Sequence, residues 1–220
     1  MSGKRHYGDA CGVARALDVL GERWTLLIVR ELLLGPKRFT DLRAGLPGAS
    51  QNVLSQRLRE LIENGIIVHR RLGPPSSVAG YELTERGRAL EPVLFALAGW
   101  GSRVPLDEGT ELSADALMLA LRTTFSPGDA QAMTCELRID GDRFVADVAE
   151  GTLTISRSAM SMTASPDVVI DTDAATLRSL AFGGKRLGGA LRRRAVSLEG
   201  ERAVAERFLA CFQRPAAAAS

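Results

Sequence analysis

One stretch, from Lys37 to Gly65, limits the architecture more than any other. Lys37-Arg38-Phe39-Thr40 opens a short helix in which Phe39, Leu42 and Leu46 share a face. Gly45-Leu-Pro-Gly48 then marks a turn. Ser50 is placed to cap a helix running to about Asn64, and Gly65 is the expected left-handed terminator. With a step of about 100° per residue, Leu54, Leu58, Leu61 and Ile62 fall on one narrow face of that helix, with Asn52, Ser55, Gln56 and Arg59 opposite. The spacing therefore predicts helix, tight turn, helix, the second helix presenting an amide, hydroxyl and guanidinium face.

The flanks complete a recognisable order of elements. From Gly12 to Leu34 apolar residues recur at helical spacing around Gly21, which reads as two helices ended by Gly35-Pro36. After Gly65 the pattern turns strand-like over Ile66–Arg71 and Tyr81–Thr84, a hairpin with a Pro/Ser/Gly tip. Glu85 to about Arg103 reads as one more helix, with Leu90, Leu94, Leu97 and Trp100 on one face, and Pro105-Leu-Asp-Glu-Gly109 as the start of a linker. Beyond it, a helix from Ser113 to Phe125 precedes strands Met133–Ile139, Arg143–Val148 and Thr152–Ser156. Two shorter strand candidates follow at Met160–Thr163 and Val168–Ile170, then helices Ala174–Phe182 and Leu187–Arg193, a strand Val196–Leu198 and a last helix Glu201–Phe212. The expected fold class is α+β in two domains: residues 1–104, a linker 105–111, a domain 112–214 with helices against an antiparallel sheet, and a disordered tail 215–220.

Bulk chemistry narrows the functions. No apolar run approaches the roughly 18 residues of a membrane span, and the N-terminus leads into no secretory apolar stretch, so a cytoplasmic protein is expected. Cys11, Cys135 and Cys211 are too few and too scattered for a disulfide framework. His6 and His69 make no zinc spacing with them, so neither metal nor cofactor is expected. Charge is split: residues 1–105 hold 15 Lys and Arg against 10 Asp and Glu, residues 106–220 hold 13 against 16. A basic module facing a polyanion, joined to one without that need, fits the split.

Asn and Gln can bridge adenine and Arg can bridge guanine at major-groove edges, so the outward face of the Ser50 helix is a candidate reader of double-stranded DNA. Ser50, Gln51, Asn52, Ser55, Gln56 and Arg59 form that face. Lys37 and Arg38, at the start of the preceding helix, and Arg70 and Arg71, leading into the hairpin, are candidates for phosphate contacts. The run Cys11-Gly-Val-Ala-Arg-Ala-Leu-Asp-Val-Leu-Gly-Glu-Arg-Trp-Thr-Leu-Leu-Ile-Val-Arg-Glu-Leu, then Arg38-Phe-Thr-Asp-Leu, Leu54-Ser-Gln-Arg-Leu-Arg-Glu-Leu and Tyr81-Glu-Leu-Thr-Glu-Arg-Gly, resembles the HxlR family over about residues 8–102. The resemblance implies a winged helix-turn-helix homodimer related in shape to MarR-type regulators. It also implies a subunit interface of the N-terminal helix and the Glu85–Arg103 helix, and a pseudo-palindromic operator. Trp24 and Trp100 read as core or interface packing. Cys11 is a candidate redox sensor by the same resemblance, with Arg15 one turn away to favour its thiolate; a merely tolerated cysteine is the alternative.

The second half holds no catalytic set, so no enzyme is expected. Gly183-Gly-Lys-Arg-Leu-Gly-Gly189 lacks the ending of a phosphate loop and reads as a helix-joining segment. Asp167-Val-Val-Ile-Asp-Thr-Asp-Ala-Ala-Thr-Leu-Arg-Ser-Leu-Ala-Phe-Gly-Gly, followed by Ala195-Val-Ser-Leu-Glu-Gly-Glu and a helix, resembles sterol carrier protein-like domains. That resemblance implies an apolar tunnel for a hydrophobic effector, for which Leu121, Phe125, Phe144, Leu180, Phe182, Leu191 and Phe208 are the candidate lining; a filled core is written with the same residues. The competing classes are a redox regulator with a passive second half, and a lipid carrier or enzyme whose basic half only dimerises.

Overall fold

The computed structural model describes residues 6–71, 79–104, 111–128, 131–157 and 165–212. The hairpin tip, the Pro105–Gly109 linker start, the Met160–Thr163 strand candidate and the 215–220 tail lie outside them. The chain divides into two compact units, Met1–Leu94 and Phe95–Ser220.

In the first unit, α1 (Gly12–Leu20) and α2 (Thr25–Leu32) fall on either side of Gly21, as the spacing predicts. α2 is entered through Trp24, whose φ of 79° is left-handed. α3 (Phe39–Gly45) and α4 (Gln51–Glu63) follow, with the Ser50 hydroxyl accepting the Val53 N–H at 3.4 Å and Gly65 at φ +68° ending the turn. β1 (Ile67–Arg71) and β2 (Ala79–Leu83) pair antiparallel, Ile67 opposite Leu83 and His69 opposite Tyr81. Ile28, Leu32, Leu42, Leu54, Leu58 and Leu61 fill the core, each contributing about 1.5–3 kcal/mol of apolar burial. Ile62, expected on the same stripe, is 39% exposed instead, because it sits at the stripe's edge.

The helix expected over Glu85–Arg103 is two: α5 (Glu85–Arg88) and α6 (Glu91–Gly101). Pro92 has no N–H to return to the Arg88 carbonyl, and its ring would crowd that carbonyl, so the chain restarts with Pro92 in a first turn, where proline is tolerated. Thr84 caps the start of α5 and ties it to the turn after α4. Its hydroxyl accepts the Gly87 N–H at 3.1 Å and donates to the Gly65 carbonyl at 2.7 Å.

A buried ion pair sets the position of the helix-turn-helix. Glu31, fully buried on α2, accepts from Lys37 Nζ at 2.6 Å and from Arg30 Nη2 at 2.7 Å. Lys37 is itself 6% exposed, and its backbone bridges Tyr81 of β2 in both directions, at 3.0 and 2.8 Å. The turn glycines answer to the same helix. A Cβ on Gly45 would stand 2.2 Å from Glu31 Oε2, and one on Gly48 would stand 2.7 Å from Trp24 Cη2.

The second unit begins with α7 (Ala114–Thr124), capped by Ser113. Its sheet has the order β5 (Thr152–Arg157), β4 (Asp142–Ala149), β3 (Met133–Ile139), β6 (Val168–Thr172), β7 (Val196–Gly200). The expected antiparallel sheet is mixed, because β3 pairs with β6 in parallel. β5 already runs with β3, so passing from β5 to β6 is a same-direction crossover and not a hairpin. α8 (Ala174–Ala181), α9 (Leu187–Arg192) and α10 (Arg202–Ala210) complete the unit, α10 packing on β3 and β6. Arg157 Nη2 donates to both oxygens of the buried Asp115, at 2.8 and 2.7 Å, tying β5 to α7.

Removing the buried ammonium leaves the Glu31 carboxylate under-compensated even with Arg30 still beside it. Lys37→Met is therefore expected to destabilise the first unit by about 3–5 kcal/mol, read as a lower urea midpoint in the tryptophan fluorescence of a Trp100→Phe background, where Trp24 is the sole reporter. A variant as stable as the parent would mean that Glu31 finds its compensation elsewhere.

Candidate nucleic-acid interface

α4 buries Leu54, Leu58 and Leu61 and turns Asn52, Gln56, Arg59 and Glu63 outward. Gln51 is exposed at its first turn, and Ser55 is half-buried at the border of that face. The outward groups are held lightly. Gln56 Nε2 donates to Glu60 Oε1 at 3.0 Å, and Arg59 Nε reaches the Ser55 carbonyl at 3.4 Å. Arg57, which the sequence reading left aside, is half-buried and paired with Glu60 and Glu22. The row that can meet a partner is thus an amide, an amide and a guanidinium, spaced by four and three residues so that they share one side of the helix.

The flanking cations differ in availability. Lys37 is corrected out of the interface: its ammonium is inside the unit against Glu31, so it steadies the scaffold and does not face outward. Arg38 remains exposed at the N-cap of α3, where its backbone N–H donates to Asp41 Oδ2 at 3.1 Å. Arg43, one turn after Phe39 on α3, is exposed as well and was missed, because a single arginine on a short helix carries no signal of its own. Arg70 Nη1 pairs with Glu82 Oε2 at 2.6 Å, and Arg88 Nη2 with the other oxygen at 2.7 Å. The Arg70 hydrogen bond, above all, holds the Glu82 carboxyl below its ordinary range. Arg71 is exposed on the same strand.

Cys11 is exposed just ahead of α1. The backbone N–H of Ala14, then that of Val13, pulls its thiol below the ordinary cysteine value. The expected help from Arg15 is not among the causes, which lie in the first amides of the helix. Cys135 is the opposite case, buried and pushed up to about 12, mainly by desolvation. Trp24 is half-buried on the first core, whereas Trp100 is 71% exposed.

Of the residues expected to line an apolar tunnel, Leu121, Phe144, Leu180 and Phe208 are buried and Phe125, Phe182 and Leu191 half-buried. Phe208 meets Phe212 edge-on at a centroid distance of 5.0 Å, and Phe125 lies 6.1 Å from Phe212. Among the described residues no group of three His, Cys, Asp or Glu could hold a metal ion, and no helix is long and apolar enough to cross a membrane.

Comparison with known proteins places these elements. A family model described as HxlR-like helix-turn-helix matches residues 19–107. The HTH-type transcriptional regulator YvaP of Bacillus subtilis (strain 168) is 43% identical over 89 residues, which is 40% of this chain and 82% of that protein. The HTH-type transcriptional regulator sll1512 of Synechocystis is 40% identical over 108 residues, 48% of this chain and 78% of that one. Among solved structures, quinone-bound YodB of B. subtilis is 36% identical, covering 42% of this chain and 97% of that chain with a TM-score of 0.37.

The cysteine environments predict a reactivity order. With an aromatic disulfide reagent, native protein should release one fast equivalent, with an apparent pKa below that of the same thiol in the unfolded chain. Cys11→Ser should remove it, while Cys135 stays silent until the protein unfolds. Equal rates at all three positions would contradict these environments.

Proposed function

The chain belongs to the HxlR-like helix-turn-helix family and is a DNA-binding transcription regulator rather than an enzyme; from that premise we propose that it acts in the cytoplasm as a dimeric, effector-responsive repressor. The observation that carries the DNA-reading assignment is the outward row Asn52, Gln56 and Arg59 on α4. These side chains read base edges, with Gln51, Ser55 and Ser50 at the groove margin. Arg38, Arg70 and Arg71 take phosphates and fix the register.

Two features support a homodimer on a two-fold operator. Val13 and Leu17 of α1, and Val93, Leu97 and Trp100 of α6, are large apolar side chains open to solvent in the single chain. Exposed apolar residues at helical spacing are what an interface between copies covers. A two-fold protein then reads two matching half-sites.

The second unit is the effector-receiving half in this reading, a sterol carrier protein-like domain whose order of helix, meander and returning helices supports the assignment, with a hydrophobic molecule as ligand. Such a ligand releases DNA only by binding the DNA-free dimer more tightly than the bound one. One observation favours a second reading, a redox switch at Cys11: its exposure together with the amide-lowered thiol. Under that reading Cys11→Ser abolishes oxidant-dependent loss of DNA binding, and an unchanged response excludes it.

Genome-wide footprinting followed by anisotropy titrations on an enriched site tests the main reading. Asn52→Ala and Arg59→Ala should each lose about 1–3 kcal/mol on the operator and little on random duplex, whereas Arg71→Ala should weaken both and reduce the salt slope by about 1. Protein that retains no duplex in preference to random sequence at low salt would overturn it.

A further inference from the structure

The acidic half of the chain carries one concentrated cationic feature. Lys185, Arg186, Arg192, Arg193 and Arg194 fall within ten residues that contain no Asp or Glu. Lys185, Arg186 and Arg192 line, with Arg202, a groove of about 470 Å³ between the α8–α9 connection and α10. Its other walls include the buried Leu180, Leu187 and Leu209, and one carboxylate, Glu206. Cations over an apolar floor differ from a surface built only to hold a nucleic-acid backbone, which needs the charge but not the floor.

The groove is locally organised. Lys185 is brought to its mouth by a backbone turn in which both the Gly183 and Lys185 N–H groups donate to the Ser179 carbonyl, at 3.1 and 3.2 Å. Arg202 is held by Glu206, its Nε and Nη2 donating to Oε1 at 2.9 and 2.7 Å, which leaves Nη1 outside that pair. Its guanidinium lies so close to α9 that a Cβ on Gly188 would stand 2.8 Å from Nη2. A side chain at 188 would have to push the Arg202 guanidinium aside. Arg186 and Arg192 are exposed.

We propose that this groove binds a small organic anion, a carboxylate or phosphate ester joined to a short apolar group. The guanidinium groups hold the anion by charge-assisted hydrogen bonds, and the leucine floor takes the apolar arm. The site shares only Leu180 with the expected apolar tunnel, and it depends on neither the DNA-reading face nor the redox reading.

Calorimetric titration of the full chain with n-hexyl phosphate, inorganic phosphate and n-hexanol tests it. Hexyl phosphate should bind saturably at one site per chain and tighter than either fragment. Arg186→Gln/Arg192→Gln should weaken it by about tenfold or more with an unchanged melting temperature, and Gly188→Ala should weaken it by displacing Arg202. The proposal is overturned by absence of saturable heat, by hexanol matching hexyl phosphate, or by undiminished binding in the double variant. It is also overturned if the double variant loses affinity for random duplex DNA or for phosphatidylserine vesicles while hexyl phosphate binds neither protein.

Discussion

A carboxylate and an ammonium held out of water between α2 and the loop before α3 govern the geometry of the first unit. Glu31 has no exposure to solvent, and its tolerance of that position depends on Lys37 and Arg30 supplying the counter-charge that water cannot. The same Lys37 joins its backbone to Tyr81, so one residue fixes the distance from α2 to the hairpin as well as to α3. The turn between α3 and α4 then packs so closely on Glu31 and Trp24 that Gly45 and Gly48 have no room for a side chain. A pair of this kind adds little net stability compared with a hydrophobic substitute, but it tolerates few alternative arrangements. Placement of α4 against α2 follows from it.

Much of this was legible in the chain itself. The stripe Leu54, Leu58, Leu61 announces α4 and its outward row, because helical period alone decides which side chains can share a face. The hairpin, the Ser50 and Ser113 caps and the break at Gly21 follow from local chemistry in the same way. What could not be read locally is where a charge ends up. Lys37 looks like a phosphate contact until its partner, six residues upstream on a helix whose buried side includes a glutamate, is in place. The parallel pairing of β3 with β6 is hidden for the same reason, since strand direction is a property of the whole connection. Pro92, by contrast, carried a local signal for the break between α5 and α6 that helical spacing concealed.

The two units distribute charge differently. The first spends cations both inside, at Lys37, and outside, along α3, α4 and the hairpin. The second ties several of its charges into pairs across its elements, as Arg157 does with Asp115 and Asp142, and Arg138 with Glu136 and Glu199. Against that background the cluster around Lys185 and Arg192 is set apart, because no acidic residue interrupts it in sequence.

Glu82 sits between Arg70 and Arg88 and engages each through a different oxygen. An anion arriving at Arg70 meets an arginine that already has a companion, so contact at that residue is an exchange of one counterion for another. The net gain is a difference between two similar attractions, small for a stray encounter and appreciable only when neighbouring groups engage simultaneously. Arg70 by itself is thereby a weak anion contact, and what it contributes depends on its neighbours engaging with it.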